Sequence, residues 1–246
     1  MARDGVVSVG AVWTPYCGPA PVAGEWRWNL EPVLIVVLVA AVALMCWRMR
    51  GRERAFGLAA VGVLAVGFVS PLCALSSALF TARTIHHLLL VAVAAPLLAA
   101  ALPERRAGSL LLATGVQAAV FWAWHAPGAY AAALSSDKVY WIMQISLLAS
   151  AVGFWAAVRV ASAPGAVVAL LAAMLAMGLL GAVLTFAGQA VYAPHQYTTL
   201  AWGLTPLEDQ QAAGLIMWAP AAALYLAAAL WRLGRMLQPD VGTRAA

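Results

Sequence analysis

Long runs of apolar residues alternate with short arginine-rich segments along most of this chain. A helix of about 20 apolar residues is long enough to cross the hydrocarbon core of a bilayer. The runs that meet or approach this length cover residues 32–47, 55–71, 84–102, 108–124, 139–158, 164–186 and 205–231. The pattern therefore predicts an all-α, polytopic integral membrane protein with seven transmembrane helices.

These predicted spans divide the chain into three parts. Residues 1–28 form an extracytoplasmic N-terminal arm, residues 29–233 the seven-helix transmembrane domain, and residues 234–246 a cytoplasmic tail. The arm lacks the charged-then-apolar pattern of a cleaved signal peptide, and its prolines favour an extended segment.

The last predicted span opens with a concentrated polar segment. Thr205 and Glu208 have the T-x-x-E spacing of a capping box, and Pro206 occupies the first helical position, where proline is tolerated. Three further polar residues follow at the same membrane boundary: Asp209, Gln210 and Gln211. Polar residues crowded at this depth are costly unless they bind a ligand or one another.

Composition supports a membrane protein and excludes several functions. The chain is 65% hydrophobic and 9% charged with a mean hydropathy of +0.89, whereas a soluble protein has roughly 25% charged residues. The net charge of +5 is small and clustered in loops, so we expect no nucleic-acid partner. The three cysteines form no C-x-x-C motif. No nucleophile is paired with a base, so we expect no enzymatic activity.

The distribution of cationic residues predicts the orientation, because cytoplasmic loops carry the excess of arginine and lysine. With the first connection inside, the cytoplasmic residues are Arg48, Arg50, Arg52, Arg54, Arg105, Arg106, Arg159, Arg232, Arg235 and Arg244. The outer residues are Arg3, Arg27, Arg83 and Lys138. The N-terminus is therefore predicted outside and the C-terminus in the cytoplasm.

This orientation gathers the polar chemistry on the outer side. All four histidines fall there, together with aromatic and amide residues of several spans: His86, His87, His125, His195, Tyr130, Tyr140, Gln144, Tyr192 and Tyr197. We predict a shallow, outward-facing polar cavity between the third, fourth, fifth and seventh spans. Imidazole, thiol, thioether and carboxylate groups are ligands for copper or another late transition metal.

Each candidate ligand also has a structural interpretation. His86 and His87 are about 100° apart on a helix, so we expect one at the interface and His87 in the cavity. His125 equally fits a helix end, and His195 is expected to be solvated. The remaining candidates are Asp209, which the capping box does not explain, Met217, which a core position would explain, and Cys73, which an inert buried thiol would explain.

Several segments resemble the CtaG-type family of cytochrome c oxidase assembly factors, which are multi-spanning proteins of bacterial plasma membranes. The likeness covers residues 26–233 and is most specific at 180–186 and 203–218, with further likeness at 70–72, 80–90, 95–96 and 124–134. The resemblance implies a role in building the copper-containing oxidase through copper delivery on the outer face.

The chain departs from the pattern that this resemblance implies. Where the family's third span opens with H-x-x-x-H, this chain has Arg83 and His87, and His86 stands where glutamine is usual. The H-x-x-E-H of the fifth span is replaced at Tyr140, Met143 and Gln144. A rebuilt copper site would then use His87, His125, Asp209, Met143, Met217 and Cys73. Its sulfur ligands would favour Cu(I), while Arg83 would repel a cation by roughly 1–4 kcal/mol.

Three functional hypotheses follow. The first is an accessory protein of the bacterial plasma membrane that holds copper transiently and contacts cytochrome c oxidase subunits. The second is a metal-free scaffold or accessory subunit of a respiratory complex, in which Arg83 and Asp209 form an ion pair. The third is a metal or solute transporter, which the absence of intramembrane charge in the predicted cytoplasmic half disfavours.

Overall fold

A computed structural model describes residues 15–103 and 108–237, and within these ranges the chain is helical and contains no strand. The all-α prediction is confirmed for this part of the chain. Arg3, Arg105, Arg106 and Arg244, which entered the orientation count, lie outside the described residues, as does the predicted tail after residue 237.

The helices follow one another with short connections. They are α1 (Pro32–Arg48), α2 (Gly51–Phe68), α3 (Pro71–Ala78), α4 (Phe80–Leu88), a π-helical segment (Leu89–Ala94), α5 (Ala95–Ala101), α6 (Leu110–His125), α7 (Pro127–Ser135), α8 (Asp137–Val160), α9 (Ala163–Thr185), α10 (Pro206–Trp218) and α11 (Pro220–Leu237). Two single 3₁₀ turns, Ala193–His195 and Thr199–Trp202, lie between α9 and α10.

Four helical segments of the described chain are long and apolar enough to cross a membrane: Phe80–Ala101, Asp137–Val160, Ala163–Thr185 and Pro206–Leu237. A fifth is obtained if α2 and α3, which bend by 45° at their junction, form one span. The helices α1 and α6, with 17 and 16 residues, are apolar but shorter. The number of seven spans and the orientation therefore stay predictions.

The span from Phe80 to Ala101 contains a π-helical segment, and a neighbouring helix donates a hydrogen bond to one of its carbonyls. The π-helical segment leads into Pro96, which has no N–H to donate to the carbonyl of Val91, five residues earlier. The indole N–H of Trp155 on α8 donates to that carbonyl at 2.8 Å instead. The bond also attaches the span to α8.

Two glycines let α9 and α10 approach closely. A Cβ atom at Gly214 would lie 2.6 Å from the carbonyl oxygen of Gly181, and one at Gly181 would lie 2.7 Å from that of Gly214. Small residues at helix crossings are a general feature of membrane helices. This contact fixes the start of α10, and with it Asp209, within the bundle.

The described part of the N-terminal arm packs on the bundle. Cys17 forms a disulfide with Cys73 at the start of α3, and the Trp202 indole donates to the carbonyl of Pro21 at 2.9 Å. The sequence interpretation of Cys73 as a thiolate ligand or an inert thiol is therefore wrong, because its sulfur is bonded to another cysteine. Among the described residues, the free cysteine is Cys46.

Candidate functional site

The N-terminus of α4, the helix that carries His86 and His87, is capped by a residue of α10. No side chain of its own N-cap, Leu79, bonds the start of α4. Instead, the carboxylate of Asp209 accepts the backbone N–H groups of Phe80 at 2.6 Å and Thr81 at 3.1 Å. Asp209 is fully buried, and its burial is explained by these bonds rather than by a metal ion.

The polar residues beside Asp209 are also used structurally. The capping box of Thr205 and Glu208 is confirmed. The side-chain Oε1 of Gln210 accepts the backbone N–H of Val191 at 2.8 Å, and the side-chain Nε2 of Gln211 donates to the backbone carbonyl of Ala187 at 3.3 Å. The start of α10 thus holds the preceding connection in place.

His87 and His125 meet in the interior. Their ring centroids lie 5.5 Å apart with the rings nearly perpendicular, and the two residues are only 1% and 3% exposed. The Nδ1 of His125 lies 2.7 Å from the carbonyl oxygen of Phe121, which can only accept, so Nδ1 carries the proton. The Nε2 atom of His125 and both ring nitrogens of His87 have no hydrogen-bond partner.

His86 points elsewhere, as expected for consecutive helical positions. Its ring packs edge-on against Phe68 of α2 at a centroid distance of 4.7 Å and approaches Gly67. The prediction that His86 lies at the interface is wrong, because α2 covers it completely.

His195 is a buried connector, not the solvated residue that was predicted. Its Nε2 accepts the hydroxyl of Tyr130 at 2.6 Å, and its Nδ1 donates to the carbonyl of Ala78 at 3.2 Å. Burial, assisted by the nearby charge of Arg83, lowers the pKa of His195 to about 3. The imidazole is therefore neutral, and it joins α7 to the junction of α3 and α4.

Two segments cover the polar residues around His87 and His125: the connection from α9 to α10, and the N-terminal arm. The Tyr192 hydroxyl donates to the carbonyl of His125 at 2.8 Å, and its ring stacks on Phe80 at 3.9 Å. On the arm, Tyr16 stacks on Tyr140 at 4.9 Å. The predicted outward-facing cavity is thus an enclosed polar cluster, because segments expected to be solvated or extended cover it.

Arg83 lies in this cluster among tyrosines, and none of the described acidic side chains forms a salt bridge with it. It is fully buried, and its three guanidinium nitrogens have no hydrogen-bond partner. The guanidinium carbon lies 5.3 Å from the ring centre of Tyr140. The ion pair with Asp209 proposed under the scaffold hypothesis is not formed, since the Asp209 carboxylate is engaged by the start of α4.

The predicted ligands do not form a conventional metal site. Within the described ranges, no group of three or more His, Cys, Asp or Glu residues is placed to hold a metal ion. Met143 and Met217 are fully buried in the hydrophobic core. Gln144 is buried with both amide atoms unpartnered. His87 lies near two other imidazoles with unpartnered nitrogens, His125 at a centroid distance of 5.5 Å and His86 at 6.0 Å.

A sequence model of the cytochrome c oxidase caa3 assembly factor (Caa3_CtaG) family matches residues 105–238, more than half of the chain. The chain belongs to this family. No curated protein and no solved structure matches it. The resemblance found in the sequence is confirmed, and a caa3 assembly factor is a protein of cytochrome c oxidase assembly. The match includes His125 and Asp209 but begins after α4, which carries Arg83 and His87.

Besides the Asp209 cap, the contacts that sequence reasoning missed in this caa3 assembly factor family member include the following two. The first is the disulfide, although Cys17 and Cys73 were both predicted on the outer side and Cys46 within the first span. The second is the bond from Tyr130 to His195, for which the sequence offers no spacing signal because 65 positions separate the partners.

Proposed function

We propose that this protein supports cytochrome c oxidase assembly in the bacterial plasma membrane by holding Cu(I) transiently between His87 and His125. Copper is then cargo that passes to an oxidase subunit. The proposal rests mainly on this pair of buried imidazoles. Their ring centroids lie 5.5 Å apart, and both rings have nitrogens without a hydrogen-bond partner. Imidazole nitrogen is a good copper ligand.

The state of His125 supports ligation. Since its Nδ1–H donates to the carbonyl of Phe121, the lone pair of Nε2 is free. Metal-ligating histidines commonly donate their second N–H to a carbonyl in this way. A bare buried nitrogen also costs free energy, which a bound ion would offset.

Arg83 is the observation that favours a second candidate, a metal-free scaffold for the oxidase. A buried guanidinium one turn before His87, without a salt bridge to any described acidic residue, disfavours any cation there. Under the copper proposal the same residue weakens binding, which suits a protein that releases its metal.

Cu(I) binding to detergent-purified protein under reducing conditions, measured against a competing colorimetric chelator, tests the proposal. We expect stoichiometric binding by the wild type and its loss in His87→Ala and His125→Ala. His195→Gln is the matched control, because both ring nitrogens of this buried histidine are already hydrogen-bonded, to Tyr130 and Ala78.

Binding that survives both His87→Ala and His125→Ala would contradict the proposed ligands. Absence of copper from the wild type, with co-purification of oxidase subunits, would select the scaffold.

A further inference from the structure

A second chemically distinctive region lies at the opposite end of the bundle. Along α8, Tyr140 belongs to the histidine cluster and Arg159 to this region, roughly 28 Å away at 1.5 Å per residue. A groove with a cavity volume of about 320 Å³ opens there between α5, α8, α9 and α11. It is lined by Pro96, Ala100, Trp155, Val158, Arg159, Leu170, Ala228, Trp231, Arg232 and Arg235.

The groove is amphiphilic. Apolar side chains of four helices form its walls, and all of its charged lining residues are arginines: Arg159, Arg232 and Arg235. None of the described residues that line it is acidic. Charge and apolar surface are therefore combined in one concavity.

The arginines of α11 retain donors for a ligand. Arg232 donates through Nη2 to the carbonyl of Ala161 at 2.7 Å, while its Nε is buried without a hydrogen-bond partner. Arg235 is exposed and its guanidinium lies 5.3 Å from the ring centre of Trp231. Residues three apart share a helix face, so both guanidinium groups reach the same groove.

We propose that this groove binds an anionic phospholipid, with the headgroup phosphate on Arg232 and Arg235 and the upper acyl chain along the apolar walls. Guanidinium groups pair well with phosphate oxygens. Tryptophans such as Trp155 and Trp231 favour the membrane–water boundary, where such a headgroup lies. Basic pockets between transmembrane helices on the cytoplasmic side, the predicted side of these arginines, suit anionic headgroups.

Native mass spectrometry of the full chain in neutral detergent micelles containing phosphatidylglycerol or phosphatidylcholine tests this assignment. We expect the wild type to retain phosphatidylglycerol preferentially. The double variant Arg232→Gln/Arg235→Gln should reduce that preference about 30-fold, the equivalent of about 2 kcal/mol for two cations.

The matched control is Arg50→Gln/Arg54→Gln, which removes two exposed arginines of the same predicted side outside the groove. It should keep the wild-type preference. Because Arg232 also bonds the end of α8, the single variant Arg235→Gln and thermal unfolding of each variant separate lipid binding from folding.

Equal retention of the two lipids by the wild type, or equal loss of preference in the control and groove variants, would overturn the proposal. Inorganic phosphate in excess distinguishes a lipid from a free anion. We expect it to leave the bound phosphatidylglycerol in place, and displacement by phosphate would overturn the lipid assignment.

Discussion

Arg83 is buried on the helix that carries His87, one turn before it, so its charge acts on any cation bound there. Two like unit charges about 4 Å apart repel by roughly 1–4 kcal/mol at effective dielectric constants of 80 to 20. The residue therefore opposes copper while the two imidazoles favour it, and the balance is open to measurement.

Arg83→His should strengthen Cu(I) binding by about fivefold or more, since it removes at least about 1 kcal/mol of repulsion and adds an imidazole at i, i+4 from His87. Arg83→Gln is the control, because it removes the charge without adding a comparable ligand, and a smaller gain is expected. The chelator competition described above measures both. Unchanged affinity in the two variants would mean that Arg83 does not act on the site.

His195 should make stability depend on pH. Because burial lowers its folded pKa to about 3, below the unfolded value of about 6.5, its stabilising effect is fully present above about pH 6.5. It is lost progressively as the pH falls toward the folded pKa. The free energy of unfolding should fall by about 2 kcal/mol between about pH 7.5 and about pH 5 from this residue alone.

Unfolding titrations in detergent at several pH values measure this loss. His195→Gln is the comparison, since an amide can still accept from Tyr130 and donate to Ala78. The variant should lose that share of the pH dependence. If the free energy of unfolding changes equally with pH in both proteins, the pH dependence comes from groups other than His195.

At the scale of the elements, the start of α4 depends on α10. Asp209→Ala would leave the buried N–H of Phe80 and that of Thr81 without an acceptor. At about 1–3 kcal/mol for each of the two orphaned groups, the free energy of unfolding should fall by about 2–6 kcal/mol. Glu208→Ala, which breaks only the exposed capping box, should cost about 1 kcal/mol or less. Equal losses in the two variants would contradict the capping role of Asp209.

Local sequence features predicted the elements better than the contacts among them. Apolar runs located the long helices, and the T-x-x-E spacing located the capping box. The bond of Asp209 to Phe80 joins residues 129 positions apart, and the disulfide joins residues 56 apart. Such pairs leave no periodicity in the sequence. For the same reason the cluster was predicted as open, since its cover consists of segments without helical periodicity.

At the scale of the whole molecule, the disulfide bears on orientation. Disulfides persist in oxidising compartments and are rare in the cytosol. The arm and the start of α3 are therefore expected on the extracytoplasmic side, in agreement with the arginine distribution. The arginine groove at the other end would then face the cytoplasm.

Cysteine labelling tests both the disulfide and the predicted orientation. In denatured wild type without reductant, Cys46 should be the reactive thiol, and all three cysteines should react after reduction. In a Cys46→Ala chain, a membrane-impermeant maleimide should label Tyr197→Cys in intact cells and Arg50→Cys in inverted vesicles, since both positions are exposed. The reverse pattern would invert the orientation.

The capping of α4 by Asp209 also has a consequence for synthesis. Phe80 leaves the ribosome long before residue 209 is translated, because 129 positions separate them. During that interval the helix with His87 lacks the acceptor for its first N–H groups. Under the copper proposal, a nascent or truncated chain would therefore have an unfinished binding site, and we expect loading only in the completed polypeptide.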